Sequence, residues 1–179
     1  MAELLPDDDI VVKPDRKGLA RQLDRVVTWW ALSGGFVFVA LVVMSIISIV
    51  GRKLFSAPIE GDMELLMMGA AVGSAAFLPV CEMHDHHIKV DALTTWMSAR
   101  ARAALDTVAH TLLMLASSVI TWRTALYTIE SHENTEVSAL LLIPLWQPVM
   151  LLVPSFALLA AAALYRLMVS AQQTWGVPA

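Results

Sequence analysis

The stretch Trp29–Val50 reads WWALSGGFVFVALVVMSIISIV, without a single charge, and is closed by Gly51-Arg52-Lys53. At a helical rise of about 1.5 Å per residue, such a run crosses a hydrocarbon layer of about 30 Å. It reads as a transmembrane helix. A helix bonds its own backbone groups internally, whereas an open strand or loop at that depth leaves polar groups unsatisfied at several kcal/mol each. Everything that follows in the chain must therefore cross, or lie on, the same bilayer.

Composition agrees. Of 179 residues, 58% are hydrophobic and 16% charged, against roughly half and about a quarter in soluble domains. One all-α integral membrane domain is the simplest account. The net charge of −4 hides an uneven distribution and points to no nucleic acid. The single cysteine, Cys81, excludes an internal disulfide and the paired thiols of an exchange enzyme. It reads as a small apolar core residue.

Four spans are expected, at about 29–50, 64–81, 103–125 and 145–168, with short amphipathic interfacial helices beside them. Residues 1–16 carry Asp7-Asp8-Asp9, Pro6 and Pro14 and read as a mobile cytoplasmic tail, lacking the basic start of a cleavable signal. The membrane domain extends over 17–170 and a short cytoplasmic tail over 171–179. In the lead-in, Leu19, Leu23, Val26 and Val27 share a helical face apart from Lys17, Arg21 and Arg25, which predicts a basic helix at the headgroups. The segment 52–63, with Pro58 and Gly61, is a turn between antiparallel helices. The second span holds Gly69, Ala70, Ala71, Gly73, Ser74, Ala75 and Ala76, a small-residue face suited to close helix contact in lipid. Ile88, Ala92, Trp96 and Ala99 predict a short in-plane helix after it. Pro79 and Pro154 are places for a kink or an end.

Orientation follows from the basic residues. Lys13, Arg16, Lys17, Arg21, Arg25, Lys89, Arg100, Arg102 and Arg166 fall on one side, and Arg52, Lys53 and Arg123 on the other. That asymmetry places both termini in the cytoplasm. The expected location is the bacterial inner membrane.

His84, His86 and His87, with Glu82 and Asp85 nearby, are weak candidates for a divalent metal site. Consecutive helical histidines diverge and no HExxH spacing occurs, so a polar cytoplasm-facing loop is the preferred reading and no metal is expected. A haem would need axial ligands on facing spans, and His110 is the histidine placed inside one. Asp106 and His110, one turn apart, suit a polar contact between helices or with a partner. Glu64 opens the second span, and Arg52 across the turn is its expected partner, holding spans one and two in register. A proton or cation site at Glu64 is the alternative. No nucleophile accompanies these groups, so no catalytic residue is expected.

Several landmarks then fall in order: Gly51-Arg52-Lys53-Leu54-Phe55, Pro58, Glu64-Leu65, His87-Ile88-Lys89-Val90-Asp91, Ile143-Pro144-Leu145-Trp146 and Pro154. Over about residues 28–168 the chain resembles the small membrane subunit, the DctQ type, of tripartite ATP-independent periplasmic (TRAP) transporters. The resemblance implies a scaffold for a large multi-span subunit that imports an organic acid on a sodium gradient, with a periplasmic substrate-binding protein as third component and a role in docking it. Cofactors are not expected here, and sodium coupling belongs to the large subunit. By position, Arg52, Glu64, His87, Asp91 and Trp146 are the structural or subunit-interface candidates. Gly61 stands where a bulky aromatic, often Trp, is usual. A stand-alone homo-oligomeric transporter or channel is the alternative function, and a metal- or haem-binding membrane protein a third.

Overall fold

A computed structural model of the chain describes residues 18–56, 59–84 and 99–174. They form four helices: α1 Leu19–Phe55, α2 Asp62–Met83, α3 Ala99–Glu133 and α4 Trp146–Thr174. The β-structure among the described residues is one isolated bridge, Val137 to Pro144. Each helix is long and apolar enough to cross a membrane, over Ala20–Phe55, Asp62–Met83, Ala104–Glu133 and Trp146–Ala171. The four-span, all-α architecture expected from the sequence is therefore present. The tail 1–16, His86, His87, Asp91 and most of the expected in-plane helix lie outside the described residues.

α1 has 37 residues, about 55 Å of helix at the usual rise. The basic lead-in is helical, but it continues into the span without a break, since no proline interrupts residues 19–55. Part of its apolar face, Leu23 and Val27, is turned onto the bundle, while Val26 is exposed. Val27 is fully buried with Met83 of α2 and Ala162 of α4, and Leu23, Val80, Leu158 and Tyr165 pack around them. Three helices thus meet in one apolar cluster beside the α1 N-terminus.

The helices neighbour one another in the order α1–α2–α4–α3, folded far enough for α1 to graze α4. The short turn at 56–61 makes α1 and α2 antiparallel neighbours. Their crossing rests on small residues: a Cβ added to Gly34 would lie 2.7 Å from Ala76 Cβ and 3.0 Å from the Gly73 carbonyl oxygen. Gly73, Ala75, Ala76 and Pro79 are buried on α2, as the small-residue face predicts. Phe38 and Phe77 stack beside them, with ring centroids 6.0 Å apart. α1 also reaches α4 where the Trp30 indole N–H donates to Ser155 Oγ at 2.9 Å. Because α1 and α3 stand at the two edges of the row, Phe36, Val43 and Ile47 of α1 and Leu112, Val119 and Trp122 of α3 face outward. In lipid such faces are solvated by acyl chains and by partner helices.

Candidate functional site

The polar groups that fold this chain gather at the two ends of the row. At the turn end, Asp62 opens α2. Its Oδ2 accepts the Ser48 hydroxyl at 2.6 Å and Arg52 Nη2–H at 3.3 Å, while Oδ1 accepts the Met63 N–H at 2.8 Å. Ser48 and Arg52 are one helical turn apart on α1, so both reach the same carboxylate. Ser48 is buried, and the Arg52 side chain is 62% exposed.

The expected pairing of Arg52 with Glu64 is therefore corrected: the partner of Arg52 is Asp62. Glu64 lies two residues further on, about 200° round the helix, and faces the α3–α4 connection instead. That connection is a small hairpin. Ser138 N–H donates to the Ile143 carbonyl at 2.9 Å, Leu145 N–H donates to the Glu136 carbonyl at 3.0 Å, and Leu142 takes the left-handed conformation at φ 54°. Glu64 grips its tip. Oε1 accepts Leu140 N–H at 2.8 Å, and Oε2 accepts the Ser138 hydroxyl at 2.8 Å and Leu141 N–H at 3.1 Å. Ser138 Oγ in turn accepts Ile143 N–H at 3.2 Å. One carboxylate thus gathers donors from a tight loop more than seventy residues away.

Gly61 has a structural reason at this end. Its φ of 71° is left-handed, and the Leu141 side chain occupies the space that a Cβ would need. Leu141 thus covers the backbone at Gly61. Trp146 begins α4 and meets the His132 ring edge-on, with centroids 5.2 Å apart. Arg52, Glu64 and Trp146 therefore share one end of the molecule, each with its own partner.

At the opposite end, Glu82 of α2 and His110 of α3 meet at 2.6 Å, Oε1 to Nδ1. Both are buried, Glu82 with 1% of its surface exposed. Thr107 and Ser170 share a hydrogen bond of 3.1 Å between α3 and α4. His110 thus makes the inter-helix contact expected of it, toward Glu82. His84 uses Nδ1–H on the Val80 carbonyl at 3.0 Å and turns Nε2 to Asp24 at 3.3 Å. Among the described residues, no three His, Cys, Asp or Glu side chains converge as metal ligands. Asp62, Ser48, Ser138 and the Glu82 partner of His110 were missed by sequence reasoning. The i, i+4 spacing of Ser48 and Arg52, opposite an acid at the start of the next span, was the readable signal for the first two.

The remaining feature is a cavity of about 600 Å³ between α1, α2 and α4, lined by Phe36, Leu41, Met68, Val72, Pro148 and Leu151. It exists because α1 leans on α2 and barely on α4. The described groups hold helices and loops together, with Ser48 donating to the Asp62 carboxylate and Ser138 to the Glu64 carboxylate. Neither a curated protein nor a solved structure matches the chain. The family model described as "Tripartite ATP-independent periplasmic transporters, DctQ component" matches residues 41–173. That match covers both anchored ends, α2 and α3 whole and all of α4 but its last residue, so the chain belongs to the DctQ family, the small component of TRAP transporters.

Proposed function

We propose that this chain is the scaffold subunit of a sodium-driven, binding-protein-dependent importer of an organic acid. It anchors and orients the large membrane subunit in the bacterial inner membrane, with both termini in the cytoplasm, and takes part in docking the periplasmic binding protein. Substrate choice and sodium coupling belong to the other components. The observation that carries this reading is the distribution of charge. No acidic or basic side chain occurs in residues 26–51, 65–81, 111–122 or 146–165. An ion or acid path through this chain would have no charged side chain to coordinate its cargo at mid-membrane, where transporters place polar groups and broken helices. The carboxylates instead secure helix ends, as befits a part that holds still while its partner moves.

Expression with the native neighbouring subunits, extraction in mild detergent and mass spectrometry of the purified material test the proposal. A stoichiometric large multi-span partner is expected. Recovery as a folded homo-oligomer without that partner, together with solute flux in liposomes from this chain alone, would overturn it. Within the complex, Arg52, Glu64, His87, Asp91 and Trp146 are the positions whose substitution is expected to affect assembly.

A further inference from the structure

On one side of the α1–α2 pair, an apolar groove of about 280 Å³ runs along Phe38, Val42, Ile46 and Ile49 of α1 and Leu66 and Ala70 of α2. At its turn end it adjoins a smaller hollow of about 190 Å³, largely apolar, whose walls include the Arg52–Asp62 ion pair. Ser45, Ile49 and Leu66 border both, so the two form one channel with a greasy stem and a charged mouth. From Phe38 to Ile49 the helix rises roughly 16 Å, about half of the hydrocarbon thickness. The stem is therefore one leaflet deep.

From this geometry we infer that the groove is a binding site for one glycerophospholipid from the leaflet on the α1–α2 turn side. An acyl chain fills the stem and the headgroup phosphate sits on the Arg52 guanidinium. Charge complementarity selects this occupant. Among the described residues Asp62 is the partner of Arg52, through Nη2 alone, and the rest of the planar fork remains available to grip phosphate oxygens in bidentate fashion. Lys53, exposed and next in sequence, adds a second cation at the same level. Asp62 holds the guanidinium at the mouth and Ser48 holds Asp62, so the cation is placed before the lipid arrives. A phospholipid matches both parts together, its acyl chain the apolar stem and its phosphate the free side of the Arg52 guanidinium with Lys53 beside it. The site is formed by α1 and α2 alone and does not depend on which subunit this chain supports.

Native mass spectrometry of the full chain, titrated with dioleoylphosphatidylethanolamine or with dioleoylglycerol, tests the assignment, since the two probes share their chains and differ in the phosphate. One tightly held phosphatidylethanolamine is expected, bound roughly tenfold better than dioleoylglycerol, a difference of the size one charge-assisted contact provides. Arg52→Met should abolish that preference while leaving dioleoylglycerol binding as it was. Ser45→Phe, which blocks the junction of stem and mouth but keeps the guanidinium, should weaken both lipids and keeps the test decisive if Arg52→Met fails to fold. Inorganic phosphate at the same concentration should not displace the lipid. An undiminished preference in Arg52→Met, displacement by inorganic phosphate, or loss of the bound lipid when the large subunit joins the complex would each overturn the assignment.

Discussion

Glu64 shows how much one carboxylate can organise. A hairpin tip presents backbone N–H groups in a turn too tight to pair them internally, and Glu64 supplies the acceptors for Leu140 and Leu141. In Glu64→Ala those two amides lose their acceptor, so their hydrogen exchange should accelerate on the order of tenfold or more while the middle of α2 keeps its protection. Glu64→Gln retains one carbonyl oxygen and should fall between. Unchanged exchange at Leu140 and Leu141 would show that the hairpin holds itself. At the other end, Glu82 and His110 are both buried and joined at 2.6 Å. Removing one partner of a buried ionisable pair strands the other, a loss of about 3–5 kcal/mol in comparable sites. Glu82→Ala should therefore lower the thermal unfolding midpoint in detergent by many degrees, and a shift within error would mean that His110 finds another acceptor. The resemblance pointed to Arg52, Glu64 and Trp146 by position, and all three are polar or amphipathic side chains at span boundaries, where they stand out against apolar runs. Their partners were not legible in this way. Whether Arg52 meets Asp62 or Glu64 depends on a helix rotation of about 200°, which charge and spacing across a turn do not specify.

Among the elements, the α1–α2 crossing was partly readable and the order of the row was not. Small residues announce close approach in lipid, and the buried Gly73, Ala75 and Ala76 lie on the face that composition marks. The order α1–α2–α4–α3 leaves no such mark. In water, the apolar stripe of a helix tells which side is packed; in a membrane the packed and lipid-facing sides are both apolar, and periodicity loses its meaning. The lead-in illustrates the same ambiguity, since an amphipathic pattern fits the headgroup layer as well as the cluster with Met83 and Ala162 that Val27 joins. Gly34 gives the crossing a direct test. A side chain there would press on Ala76 Cβ and the Gly73 carbonyl, while a Cβ at Gly35 meets only Phe77, at 3.7 Å. Gly34→Val should force the helices apart at a cost of about 1–3 kcal/mol, and Gly35→Ala should be nearly neutral. Equal thermal stability of the two variants would mean that α1 does not approach α2 so closely.

For the whole molecule, the decisive property is that its strongest polar contacts lie at the ends of the row while the faces between them are apolar. On the proposed scaffold role, its contribution to transport is the amount of correctly assembled complex. This separates its role from that of a substrate-handling subunit in a measurable way. In the reconstituted three-component system, Glu64→Ala should loosen the α3–α4 hairpin and reduce the yield of complex and the maximal uptake rate together, several-fold. The substrate concentration at half-maximal uptake, and the affinity of the binding protein for its ligand, should stay within about twofold of wild type, because interactions lost equally from free and loaded states change neither. Uptake per assembled complex should then equal that of the wild type. A rise in the half-saturating concentration at normal complex yield would contradict that role and place this chain on the solute path. The same measurement separates the two ends: if Glu82→Ala also lowers yield without moving the half-saturating concentration, both ends serve assembly.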